Sequence, residues 1–162
     1  MLDATGWKIL RALQENARTT YAELAKQVNL TAPAVAERVR KMEEAGIITG
    51  YHAGINLEAL GYAMLVFIQL AVSYEKEKRL IEFMHNQPEV LECYNLTGQD
   101  AFIIKAALSS VAQLDDLLGR LAQFGQTTTH IVLSNTIPHR VIGTDLAKNS
   151  KLNVQPLKRD KK

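Results

Sequence analysis

The chain has 162 residues, 47% of them hydrophobic and 22% charged, with nine Gly, four Pro and a formal net charge of +2. That composition argues for one folded domain or two small ones and against low complexity. No apolar run reaches the roughly 18–20 residues of a membrane span, the start lacks a signal-peptide pattern, and the single Cys93 cannot form an internal disulfide, so a cytoplasmic protein without membrane partners is expected.

Asp3 can cap a first helix that keeps Ile9, Leu10 and Leu13 on one side, and residues 16–19 connect it to a second. Thr20 and Glu23 make a capping box, in which hydroxyl and carboxylate each satisfy the other residue's N–H. Leu24, Ala25 and Val28 follow at helical spacing, and Asn29 tolerates the left-handed turn that ends the helix. Leu30 reads as an apolar plug. Thr31 caps a third helix with Pro33 in its first turn, Val35, Val39 and Met42 form its buried stripe, and Gly46 ends it. Its outer face holds Ala34, Glu37, Arg38 and Lys41, with Arg40 at the edge. Two short helices joined by a tight turn, the second showing cations outward, are a helix-turn-helix. The second helix is then placed to enter the major groove of double-stranded DNA. Ile47 to Tyr51 reads as a short strand, which makes this head, residues 1–56, a winged version. Its expected core is Ile9, Leu13, Leu24, Val28, Leu30, Val35, Val39, Met42 and Ile47.

On this reading each outward residue has a task. Arg38 addresses a base edge, because its fork matches guanine O6 and N7. Ala34 permits close approach and meets a thymine methyl. Glu37 either accepts from cytosine or pairs with Arg38 or Lys41. Thr31 and the turn after it approach the phosphates, and Arg18, Tyr21, Arg40 and Lys41 are further phosphate candidates. The plainer alternative is that the cations are merely solvated and Thr31 is only a cap. Charge supports a nucleic-acid partner at the ends of the chain. Residues 1–56 hold seven Lys or Arg against six Asp or Glu, residues 57–142 six against nine, and residues 143–162 six against two.

Residues 57–62 read as a hinge. Beyond it, 63–72 is a strand apolar on both faces, and 74–86 a helix with Leu80, Ile81, Phe83 and Met84 inward. Strands at 90–97 and 102–108 form a hairpin. A second helix at 110–123 carries Val111, Leu114, Leu117, Leu118 and Leu121, and a last strand covers 128–137. The order βαββαβ over 63–142 is that of a ferredoxin-like domain, so the whole is α+β: a winged helix-turn-helix head joined to a ferredoxin-like body. Two helices cover one sheet face. The other stays too apolar for water, with Gln69 the one polar residue of the first strand, which points to a dimer formed sheet to sheet. Residues 143–162 read as a basic, disordered tail. The four His lack a ligand spacing, so no metal and no cofactor is expected, and Cys93 reads as core.

The residues Leu2-Asp3, Ile9-Leu10, Asn16 to Ala25, Leu30 to Val35, Arg38-Val39 and Gly46 to Tyr51, then Leu60-Gly61, Pro88 to Val90, Thr97-Gly98 and Thr129 to Leu133, together resemble the Lrp/AsnC family of leucine-responsive, or feast/famine, transcription regulators. The resemblance spans residues 2 to about 142. It implies a DNA-binding head, a body for effector binding and assembly, dimers that often form octamers, and commonly an amino-acid effector. It makes Thr97, Gly98, Asp100, Thr127 and Thr129 effector-site candidates. Two positions depart from the family pattern: Gly6 stands where the first helix usually has an acidic residue, and Ala101 where an Asp usually follows the hairpin glycine, with Asp100 one residue early. Two other readings follow from the same architecture: an architectural DNA-wrapping protein of the nucleoid without effector control, and an enzyme resembling the sirohaem decarboxylases. The enzyme would draw on Arg79, Arg120, Arg140, His130 and His139.

Overall fold

The computed structural model describes residues 2–98 and 101–143. The described residues divide into two compact units, one of residues 2–53 together with 137–143, the other of residues 54–98 and 101–136. No described helix is long and apolar enough to cross a membrane.

The first unit is three helices, α1 (Ala4–Glu15), α2 (Tyr21–Val28) and α3 (Ala32–Glu44). Each starts at a side-chain cap, as the sequence dictates. Asp3 accepts the Gly6 N–H at 2.7 Å and Thr31 accepts that of Ala34 at 3.4 Å. Between Thr20 and Glu23 both capping-box bonds form, at 2.8 and 3.2 Å. Asn29 takes the left-handed conformation, φ 54°, and turns α2 into α3. Ile9, Leu13, Leu24, Ala25, Val35, Val39 and Met42 make the core, with Val28 and Ile48 packed at its margin.

Three expectations for this unit need correction. Leu30 is exposed and plugs nothing. Residues 47–51 form no strand. Gly46, at φ 68°, reverses the chain after α3, and the Ile47 and Ile48 N–H groups both donate to the Met42 carbonyl instead of to a neighbouring strand. That turn also points Ile47 outward and sends Ile48 to the core in its place. The run that follows is tied by Tyr51, whose hydroxyl donates to Glu43 at 2.8 Å. Desolvation, and then the Glu43 carboxylate, push that phenol up to about 12. The returning segment is held by the Gln14 amide, which donates to the Ile142 carbonyl at 3.1 Å and accepts its N–H at 2.9 Å.

The second unit opens with a short 3-10 turn, Glu58–Leu60, and then follows the order β1 (Met64–Val72), α4 (Tyr74–His85), β2 (Val90–Asn95), β3 (Phe102–Leu108), α5 (Val111–Leu121) and β4 (Gly125–Ile131). The sheet is antiparallel throughout, ordered β2-β3-β1-β4, with a bulge between Val90 and Glu92. This is the split arrangement that the βαββαβ order predicts. Val66, Ile68, Leu70, Phe102, Ile104, Ala106 and Leu108 bury one sheet face against Leu80 and Met84 of α4 and Leu114, Leu117 and Leu121 of α5. Ile81 and Val111 are exposed, not inward: the i, i+4 pair Leu80 and Met84 sets the buried stripe of α4 and leaves Ile81 about 100° away from it. The last strand begins and ends earlier than its apolar residues suggest, because its Gly-Gln-Thr start pairs fully with Val72, Ala71 and Leu70. Cys93 is exposed, on the edge strand β2; partial desolvation raises its thiol above the ordinary value.

Candidate nucleic-acid interface

The face of α3 that points away from the core is electrically paired, which sequence alone leaves open. The helix holds three cations and three carboxylates. Arg40 is fully engaged. Its Nε and Nη2 donate to the two Glu37 oxygens at 2.9 and 2.7 Å, and its Nη1 donates to Glu44. The guanidinium pulls Glu37 down to about 2, mainly through these hydrogen bonds. Lys41 lies 3.5 Å from Glu37. Glu37 is therefore a partner of Arg40 and Lys41, not of Arg38.

Arg38 reaches off its own helix. Its Nη1 donates to both oxygens of Asp3, at 3.0 and 2.9 Å. Asp3 thus caps α1 and holds a cation of α3, and both contacts, the Gly6 N–H first, lower its pKa. The Arg38 side chain stays partly exposed, and its Nε and Nη2 have no partner among the described residues. Arg18, just before α2, is exposed and its side chain has none either; Tyr21 is exposed at the first position of α2.

The start of α3 offers less than an average helix N-terminus. Pro33 has no N–H, and Thr31 Oγ1 takes the N–H of Ala34. Of the first three helical residues, Ala32 alone keeps a donor for a phosphate. Ala34 is half-buried at the turn.

The effector candidates do not meet within one chain. Thr97 and Gly98 follow β2 at one edge of the sheet, while Thr127 and Thr129 lie on β4 at the other edge. Two strands intervene, so the separation is three strand spacings, roughly 14 Å. Thr127 and Thr129 pair with Leu70 and Ile68 and share the helix-covered face. Asp100 lies outside the described residues, as does the expected tail beyond 143. Ala101 packs against the body core. None of the described cavities is lined by a candidate effector residue; one of about 520 Å³ lies in the first unit among Trp7, Leu10, Ile48, His52, His139 and Ile142.

Nor do the residues of the enzyme reading converge. Arg120 donates to Gln87 and to the buried Glu89. Arg79 sits over the Phe124 ring. His130 lies 3.3 Å from Gln69, and His139 and Arg140 belong to the first unit. Glu89 is the residue the sequence most nearly hides: one acid after a proline, 6% exposed in the folded chain.

The comparisons with known proteins agree with this geometry. Residues 2–49 match a winged helix-turn-helix DNA-binding family, and residues 65–142 match the Lrp/AsnC ligand binding domain. The uncharacterized HTH-type transcriptional regulator YezC of Bacillus subtilis is 38% identical over 85% of this chain and 98% of its own. The leucine-responsive regulatory protein of Rhizobium meliloti is 37% identical over 72% and 77%. The solved structure of AsnC from Escherichia coli is similar with a TM-score of 0.78 and 35% identity, over 87% of this chain and 98% of that one. Helix-turn-helix head, four-stranded body and relatives named as transcriptional regulators converge: the chain belongs to the Lrp/AsnC family of DNA-binding transcription regulators.

Proposed function

We propose that this regulator reads a specific DNA sequence with the outer face of α3, and that Arg38 supplies the base contact. One observation carries the reading: Arg38 is the arginine of α3 with two donor nitrogens uncommitted, whereas Arg40 is bound on every side. Ala34 lets the helix come close. Thr31 with the Ala32 N–H, Arg18, Tyr21 and Lys41 meet the phosphates, and Glu37 with Arg40 stiffens the helix and contacts no base.

The heads act in pairs. The sheet face away from α4 and α5 carries Leu65, Phe67 and Ile103 beside the Lys105–Glu92 ion pair at 2.7 Å, and no helix of its own unit covers it. A second copy closes it sheet to sheet. The two heads then address half-sites one helical turn apart, about 34 Å. Because the cations of α3 are balanced by carboxylates, each head binds weakly alone, and pairing, up to an octamer, supplies the avidity. The effector, an amino acid, binds the body where Thr97 and Gly98 of one copy approach Thr127 and Thr129 of another. The wide separation of these groups within one chain supports that arrangement.

The test of the DNA reading is selection from a duplex pool randomised at its centre. Arg38→Ala flattens the base preference at one position of each half-site while the assembly persists. An unchanged selected sequence and footprint overturns the assignment. Ala101, at the place where the resemblance implies an Asp, favours a second reading, architectural wrapping without effector control. Thermal shifts against the twenty amino acids separate the two: a shift with any one supports effector control, and none with all supports the architectural role.

A further inference from the structure

We infer that Asp3, at the head of α1, is a positioning residue for DNA specificity: it grips one nitrogen of Arg38 and so fixes which edge of the guanidinium is presented to a base. The inference rests on the reading of Arg38 as the base contact and deepens it.

The carboxylate is itself fixed. Asp3 has an extended backbone at the cap of α1, and its Oδ1 accepts the Gly6 N–H at 2.7 Å. Gly6 leaves room for it: a Cβ there would lie 3.2 Å from Asp3 Oδ1 and 3.0 Å from Leu2 Cδ2. A side chain at this position would crowd the oxygen that both caps the helix and holds Arg38. Both Asp3 oxygens then converge on a single arginine nitrogen, Nη1. A fork-to-fork pair would occupy two nitrogens and close a whole edge of the guanidinium. Here the Nε–Nη2 edge stays open, and two parallel donors are what guanine O6 and N7 require. Arg40 in the same helix shows the opposite case. Its Nε–Nη2 edge is taken by Glu37 and its Nη1 by Glu44, so it has no edge left to read with. The grip on Arg38 crosses 35 residues of sequence and ties the reading side chain to a different helix from its own. It removes the rotamer freedom of an exposed arginine before DNA arrives, so less is lost on binding.

Two other roles give different results. If Asp3 were a decoy that DNA must displace, removing its charge would tighten binding to every sequence. If it were only a helix cap, a neutral capping residue would change nothing but stability.

The experiment uses the full chain and two variants that keep a cap without a carboxylate, Asp3→Asn and Asp3→Ser. Binding is measured to the duplex enriched by the wild-type protein and to a scrambled duplex, with thermal unfolding as the control for folding. The expected result is a loss of about tenfold on the enriched duplex, the low end of what a bidentate base contact discriminates. The scrambled duplex changes by less than about twofold, since phosphate contacts are untouched. The loss maps to the base pair that Arg38→Ala flattens. Unchanged preference at that base pair, or tighter binding to both duplexes, overturns the role of Asp3 while leaving Arg38 as the reader. If Arg38→Ala flattens no position, the reading of Arg38 falls first and the role of Asp3 with it. Asp3→Ser keeps the test decisive should Asp3→Asn fail to fold.

Discussion

A Cβ built on Gly125 would lie 1.7 Å from the carbonyl oxygen of Ala71, far inside any allowed contact. Gly125 begins β4, opposite Val72, where the edge strand closes on β1. The residue must therefore be glycine for the backbones to approach. Gly125→Ala should push the start of β4 outward and cost on the order of 1–3 kcal/mol or more, as overpacking does. Chemical unfolding checks this through a lower denaturant midpoint. A midpoint equal to the wild type would show that the strand start yields freely.

The buried Glu89 depends on Arg120. Arg120→Met leaves a carboxylate in the core edge without its cation. Such removals cost about 3–5 kcal/mol in full burial; because the Arg120 side chain is 34% exposed, a loss of roughly 2–3 kcal/mol is expected. The double change Glu89→Gln with Arg120→Met should recover much of it. A double variant no more stable than the single would show that the pair does not act as a unit.

Acid should weaken the head through three of its carboxylates. The carboxylates of Asp3, Glu23 and Glu37 all lie below their ordinary range, held by the Gly6 N–H, the Thr20 N–H and the Arg40 guanidinium respectively. A depressed folded value means the anion is favoured by folding. The gain is present above the ordinary value of 4.5 and is lost for Glu37 as the pH falls towards about 2. Melting curves followed through that window should show a falling Tm, and Glu37→Gln should make the fall shallower. An identical slope in wild type and variant would rule out the ion network as its source.

Phe67 lies on the uncovered sheet face, paired with Lys105 on one side and His130 on the other. If the proposed sheet-to-sheet dimer forms, Phe67→Glu should dissociate it, read by light scattering. Loss of paired heads should weaken binding to the selected duplex about a hundredfold. An assembly of unchanged mass would place the subunit contact elsewhere.

The sequence by itself determined whatever depends on near neighbours in the chain. Caps at Asp3, Thr20 and Thr31, the left-handed turn at Asn29, the stripes of α2 and α3, that of α5 apart from Val111, and β3 to the residue are all local chemistry acting over one to four positions, and all are legible. Only tertiary structure decided where the long polar side chains go. Arg38 meets Asp3 across 35 positions and Arg120 meets Glu89 across 31, and no periodicity encodes such pairs. The same holds for β4, whose polar start is a strand because Ala71 and Val72 offer it hydrogen bonds, and for residues 47–51, which are not a strand because no partner does. The sequence thus marked the outer face of α3 as the surface we propose for DNA. The fold decided which of its arginines keeps an uncommitted edge, since Asp3, 35 positions away, takes only one nitrogen of Arg38.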